Sequence, residues 1–333
     1  MENEQINVQS GKKTAKSWAN YVSIALAALG LLFLLLLLVK YKDIEGNKHF
    51  YYIWDLFSAD KFQFMPLVGI ILLVASIPLY VFGKRNTALP TAAFILQILA
   101  AVAFFLTPNM YVQSMGGKSC TMEVGLALAF ACSMASAFFG IVYAYSTMPI
   151  TVREMAEDGI LVAAAVALNF LKIPAPEALT GGSINLQFLP LFILALRHGP
   201  LHGFIASGIA FGLITCLTDG YGFQYYPFDY LIGFGSAAVL GFFKPLILGK
   251  NQKTYNVDGE YFLFLGVLAA TIVRMAGGMA SSMIFYGYSF LEAYLYNLSY
   301  VPASNLIALI ILMVLYGPLI TINRRFPVDG QGN

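Results

Sequence analysis

Long unbroken apolar runs, not alternation, organise this chain. A helix that crosses a bilayer needs roughly 20 apolar residues, and about ten runs are candidates on that length. They are Trp18–Val39, Phe64–Phe82, Leu89–Thr107, Val124–Tyr145, Gly159–Ile173, Ile184–Leu196, Leu201–Leu217, Tyr226–Phe243, Tyr261–Phe285 and Val301–Ile322. The sixth is short. The first follows a polar stretch, Met1–Ser17, and lacks a small-residue cleavage pattern, so it reads as a retained span and not as a removed signal peptide. The expected fold class is all-α: a multipass membrane protein of about ten transmembrane helices.

Composition supports this. Of 333 residues, 59% are hydrophobic and 11% charged. A soluble domain carries about 25% charged residues, so this much polar surface suits a chain whose solvent is lipid. The net charge of +2 says little, but its placement sets an orientation. Lys12, Lys13 and Lys16, then Lys84 and Arg85, Arg153, Arg197, the group Lys244, Lys250 and Lys253, and finally Arg324 and Arg325 all fall on one side if both termini are cytoplasmic. The opposite loops hold Lys42, Lys48, Lys61, Lys118 and Lys172, with Asp43, Glu45, Asp55 and Asp60 balancing the first of them. A cell-membrane protein with cytoplasmic N- and C-termini is expected. Ala175–Ser183, Thr218–Tyr225 and Tyr286–Tyr300 then lie outside, and a capture site built from them faces the exterior.

Pro149 and the charges Arg153, Glu154, Glu157 and Asp158 interrupt the apolar pattern near Met148–Val152. Residues 1–150 are expected to form an accessory four-helix transmembrane domain, 151–326 a substrate-capture domain and 327–333 a cytoplasmic tail. No internal repeat links the halves, so an inverted-repeat secondary transporter is not favoured. In the first half Gln97 and Glu123 are the exceptional polar residues, and interhelical hydrogen bonding or an interface position explains each better than a ligand site.

Candidate chemistry is sparse. Cys120, Cys132 and Cys216 have no metal or disulfide spacing, and His49, His198 and His202 are scattered, so no metal site is expected. Gly116-Gly117-Lys118-Ser119 looks like the end of a phosphate loop, but Val112 stands where its first glycine belongs. ATP hydrolysis by this chain is excluded. No nucleophile–base pair is visible, no cofactor is implied and nothing points to nucleic acid, so an enzyme is not expected.

Asp229 is the most informative residue. A carboxylate at membrane depth is expensive and by default functional, and with Tyr221 and Tyr230 nearby its natural ligand is a cation or an amino-substituted ring. Arg274 is the second intramembrane charge, with only Asp229 and Glu292 as plausible acidic partners. It either pairs with Asp229 or binds an anionic group of a ligand. Tyr286, Tyr288, Tyr294, Tyr296 and Tyr300 could cage a ligand or simply mark the membrane interface. Gly277 with Ser281, and Gly278 with Ser282, give small faces for tight helix packing.

Three stretches carry a family resemblance. They are the run from Gly181 to Gly199 (GGSINLQFLPLFILALRHG), the glycine-rich Gly203–Gly212 followed by Phe228-Asp229-Tyr230, and Tyr296-Asn297-Leu298-Ser299-Tyr300. On these, residues from about Thr151 to Phe326 resemble the S components of energy-coupling-factor transporters, most closely the thiamine-binding ThiT/YuaJ family. The resemblance implies a six-helix bundle that binds its vitamin near the outer face and docks on a transmembrane coupling subunit carrying two ATPases. It implies a docking face at Ala163 and Ala167, though such alanines could equally pack within the bundle. By position it implies ligand roles for Asp229, Tyr230, Tyr221, Asn297 and Ser282, with Tyr286 and Tyr296 as further wall residues. Three positions depart from the family: Gly278 stands for a histidine, and Tyr286 and Gly181 for tryptophans.

The expected function is capture of thiamine or a close analogue by a substrate-binding membrane subunit, energised by a separate coupling module. The rivals are a self-sufficient secondary transporter, with Asp229 or Glu123 carrying a proton, and a non-transporting membrane receptor.

Overall fold

The computed structural model describes residues 2–57, 64–83, 88–115, 119–147, 151–174, 182–249, 258–326 and 328. Gly116-Gly117-Lys118, Pro149, Gly181 and the cations Lys61, Lys84, Arg85, Lys250 and Lys253 lie outside the described residues. Two compact units divide the chain, Met1–Pro149 and Ile150–Asn333.

The first unit packs four helices, α1 (Glu2–Phe33), α2 (Phe64–Phe82), α3 (Ala88–Met115) and α4 (Val124–Thr147), with a small antiparallel sheet. In the sheet β1 (Val39–Lys42) lies between β2 (Lys48–Tyr51) and β3 (Ser119–Met122), with Tyr41 opposite both His49 and Cys120. The fold is mostly helical as expected, and these short strands correct only the expectation that the first span reaches Val39. Helix α1 stops at Phe33, and Val39 and Tyr41 then alternate with half-exposed lysines, burying one strand face. Tyr51 stacks on Tyr111 at 5.5 Å. Gln97 is fully buried and joins helices: its Nε2 donates to Ser76 Oγ (3.2 Å) and Ser23 Oγ (3.4 Å), while Tyr80 donates to its Oε1 (3.1 Å).

The second unit holds α5 (Val152–Phe170), α6 (Phe188–His198), α7 (Pro200–Asp219) and a broken α8 made of Tyr226–Ile232, Gly233–Gly235 and Ala238–Phe242. Then follow α9 (Gly259–Phe285), α10 (Phe290–Leu298) and α11 (Val301–Arg325). A capping box starts α5, Thr151 and Glu154 satisfying each other's backbone N–H groups. Gly199, at φ 91°, and Pro200 make the sharp turn from α6 to α7. Helix α10 was expected as an outside loop. Ser289 and Glu292 form a second capping box there, and that signal outweighs the aromatic composition.

A ring cluster forms the core: Phe188 meets Phe192 and Phe234 at 5.4 and 5.9 Å, and Phe211 meets Phe234 at 4.7 Å. Helices α7 and α8 approach so closely at Gly208 that a Cβ there would lie 2.9 Å from the Leu231 carbonyl oxygen and 3.1 Å from Gly235 Cα. Both helices carry π-type turns at this level, Ile205–Phe211 and Tyr226–Ile232.

Six helices among the described residues are long and apolar enough to cross a membrane: Phe64–Phe82, Ala88–Val112, Val124–Ser146, Pro200–Asp219, Gly259–Phe285 and the joined Phe290–Arg325. Trp18–Phe33 and Phe188–His198 are apolar but shorter. The remaining expected spans fall short for local reasons. Helix α5 carries Arg153, Glu154, Glu157 and Asp158 in its first two turns, and α8 is interrupted after Gly235.

Replacing Gly208 by leucine should overpack the α7–α8 contact and cost about 1–3 kcal/mol. A fall in the thermal unfolding midpoint of the purified protein checks this, and an unchanged midpoint contradicts the close approach.

Candidate functional site

A cavity of ≈ 130 Å³ opens in the second unit, and all eight residues singled out from the sequence as ligand contacts line it: Tyr221, Asp229, Tyr230, Arg274, Ser282, Tyr286, Tyr296 and Asn297. The first turn of α8 presents Asp229, whose Oδ2 accepts a 2.6 Å hydrogen bond from Ser281 Oγ on α9. That contact depends on small residues, since a Cβ at Gly277 would meet the Phe228 carbonyl oxygen at 2.8 Å.

Aromatic rings form one wall. Tyr225 stacks on Tyr286 at 5.9 Å, and ring contacts of 5.6–6.0 Å continue from Tyr286 through Tyr288 and Tyr296 to Tyr300. Tyr221, half exposed, extends the series at 6.5 Å from Tyr225. Burial, with Tyr225 and Asp229 nearby, pushes the Tyr286 phenol well above its ordinary pKa, so this ring is neutral at physiological pH. Tyr294 is exposed.

Asn297 is fully buried and gives its amide to the protein. Its Nδ2 donates to Ser282 Oγ (3.2 Å) and the Ala293 carbonyl (2.9 Å), and its Oδ1 accepts from Tyr300 (3.0 Å). A Cβ at Gly278 would stand 2.2 Å from Asn297 Oδ1, so the missing side chain at Gly278 is what lets Asn297 in.

The ion pair weighed for Asp229 and Arg274 does not form. Arg274 Nη1 donates to Asn305 Oδ1 at 2.9 Å, and its guanidinium lies 4.1 Å from the Phe188 ring centroid. Ser281 is seven residues further along α9, roughly 10 Å at 1.5 Å per residue, so the carboxylate and the guanidinium occupy different levels of the cavity. Glu292 is committed to its capping box. A cation–π contact and one amide are the partners that hold the buried arginine.

Several lining residues were not singled out from the sequence. Asp219 brings a second carboxylate, accepting from Tyr230 (3.3 Å) and lying 3.9 Å from Lys172 Nζ. Asn185 Oδ1 and Gln187 Oε1 are buried without a hydrogen-bond partner among the described residues, and both residues line the same cavity. Buried amides left open are costly, and an amide-bearing polar run inside an apolar segment (Ser183-Ile-Asn-Leu-Gln187) was the available signal.

On α5, Ala163 and Ala167 are exposed while Ala165 is buried. The two alanines therefore do not pack within the bundle. His198 and His202, scattered in sequence terms, come together with Asp158 at the start of α5, remote from the cavity.

A family model described as thiamine transporter protein (Thia_YuaJ) matches residues 155–326. The thiamine transporter ThiT of Bacillus subtilis (strain 168) is 26% identical over 187 residues, which cover 49% of this chain and 90% of that protein. The solved structure of ThiT from Listeria monocytogenes is similar at 20% identity and a TM-score of 0.44, covering 51% of this chain and 97% of that one.

Gly278→Ala should destabilise by about 1–3 kcal/mol through its collision with Asn297, and Asn297→Ala should relieve much of that penalty. A double-mutant cycle on unfolding midpoints reads the coupling. Strict additivity of the two changes would sink the packing account.

Proposed function

This chain belongs to the thiamine transporter protein (Thia_YuaJ) family, and on that footing we propose that the cavity of the second unit captures thiamine or a close analogue for uptake across the membrane. The observation that carries the reading is Asp229, a carboxylate held by one serine hydroxyl beside a wall of phenol rings. Its second oxygen is available to the aminopyrimidine, and its charge offsets the thiazolium. Tyr286, backed by Tyr225, offers a neutral face for stacking on a cationic ring. Asn297 acts as a positioning residue that orients Ser282 and Tyr300. Tyr230, Tyr221 and Tyr296 complete the wall, and Asn185 and Gln187 add polar residues to the lining.

Where the family resemblance leads to a histidine and two tryptophans, this chain has Gly278, Tyr286 and Gly181. A phenol replaces one indole and a glycine the other, and the room at Gly278 goes to Asn297. That exchange is why a close analogue stands beside thiamine in the proposal.

Energy reaches the capture unit from a separate energy-coupling-factor module, a transmembrane coupling subunit with two ATPases. Its docking face is the exposed small-residue side of α5, Ala163 and Ala167, which allows close helix approach in lipid. Both termini are cytoplasmic, by the placement of Arg153, Arg197, Lys244, Arg324 and Arg325. The cavity then opens to the exterior. Residues 1–150 form an accessory membrane domain.

Asp229→Ala should weaken thiamine binding about 10- to 150-fold, the worth of a charge-assisted hydrogen bond. Calorimetric titration of the purified protein with thiamine, its phosphates and its pyrimidine precursor reads this, and undiminished affinity removes the carboxylate from the mechanism. In cells, uptake should vanish without the ATPases. Uptake that survives their loss but collapses with the proton gradient would establish a proton-coupled carrier instead.

A further inference from the structure

The start of α5 and the α6–α7 turn hold a cluster that thiamine capture does not use. Asp158 directs one carboxylate oxygen to each of two imidazoles, Oδ1 to His198 Nδ1 at 2.5 Å and Oδ2 to His202 Nδ1 at 2.7 Å. The two rings stand 5.3 Å apart at 78°, four residues from one another across Gly199-Pro200. One ligand atom from each of the three residues lies within 4.8 Å of the other two. We propose that Asp158, His198 and His202 bind a divalent transition cation of the zinc class.

Donor chemistry selects that class. Two imidazole nitrogens and one carboxylate suit zinc, cobalt or nickel, whereas calcium and magnesium want oxygen alone. The surroundings already have the form of an outer shell. His198 Nε2 is 2.9 Å from Glu157 Oε2, the arrangement in which a ligating histidine gives its remote N–H to a carboxylate and so presents the other nitrogen to an ion. Arg197 fixes that same Glu157 oxygen through Nε (2.9 Å) and Nη2 (2.6 Å), and Asn323 fixes Arg197 through Nη1 (2.9 Å). Lys244 Nζ donates to the Arg197 carbonyl. Every residue that orients His198 is itself oriented.

Protons and the ion compete for one place. Without an ion, His198 can bond both carboxylates only as a doubly protonated imidazolium, and its side chain is wholly buried. With an ion, Nδ1 gives up its proton to coordination and Nε2 keeps its bond to Glu157. Bonds of about 2.0–2.2 Å in a tetrahedral site place ligand atoms roughly 3.3 Å apart, so admitting the ion parts each ring nitrogen from the carboxylate oxygen it touches by less than about 1 Å and draws any wider pair, within 4.8 Å here, together by up to roughly 1.5 Å. Asp158 keeps 17% of its side chain exposed, enough for entry and for water in the fourth position. Binding ties α5 to the α6–α7 turn, weakens as pH falls, and stabilises the folded chain by mass action.

The test uses the tag-free, chelator-stripped full chain, titrated with Co²⁺ by visible spectroscopy and with Zn²⁺ by competition. One equivalent should bind, with the intense bands of a four- or five-coordinate cobalt site, and Zn²⁺ should raise the melting midpoint. Asp158→Asn and His202→Asn, which keep hydrogen-bonding groups in place, should each lose about 100-fold in affinity, and Glu157→Gln about tenfold. A wild-type chain that melts cooperatively but gives no saturable signal overturns the proposal. So does a loss below about tenfold in both ligand variants. Should those variants fail to melt cooperatively, the wild-type cobalt spectrum decides, since weak octahedral bands mark surface binding only.

Discussion

The contact between Asp229 and Ser281 governs the second unit. Taking a carboxylate out of water costs several kcal/mol even after relaxation, and a single 2.6 Å bond from a serine hydroxyl returns only part of it. Among the described residues no cation stands within ion-pairing distance of Asp229, so the carboxylate stays incompletely compensated where it faces the cavity. In the proposed function, that is the group that meets the cationic ring. An arginine partner would have stabilised the free protein and blunted the site.

Helix α9 works as a ruler for this arrangement. Arg274, Gly278 and Ser281 mark successive levels roughly 6 and 10 Å along it from the arginine. At the deepest level Arg274 rests on Phe188 and Asn305, away from the carboxylate. In the middle Gly278 yields its space to Asn297. At the outermost of the three Ser281 meets Asp229, and the tyrosine series closes above it. The cavity thus has an acidic level and a basic level separated by packed small residues. A ligand with a positive ring and a polar tail matches that order.

Helix α5 connects this cavity to a second concentration of charge. Its C-terminal turn brings Asn169 to the cavity wall, while its first turns carry Glu157 and Asp158 into the network with Arg197, His198 and His202. Between the two ends its outward side carries Ala163 and Ala167. One helix therefore contributes to the cavity wall, to an ionic anchor and to an exposed small-residue side. The ionic anchor fixes the helix against α6 and α7, and the alanine side is exposed.

Reading the residues alone determined the lipid solvent, the positions of most of the long helices and the importance of the partly buried carboxylate of Asp229, because run length and the cost of intramembrane charge act locally along the chain. Most of the eight residues expected around a ligand came from the family resemblance, and the fold brings all eight to one cavity. Local pattern could not reveal the rest. The β1–β3 ladder needs Cys120 brought beside Tyr41, a pairing across most of a unit. Arg274 chose Asn305 and Phe188 over Asp229 because helix level, not chemical affinity, decided who was within reach. Asp158, His198 and His202 became a cluster only when the glycine–proline turn between α6 and α7 was packed against the start of α5, since distance in space, unlike spacing in sequence, is set by the tertiary fold.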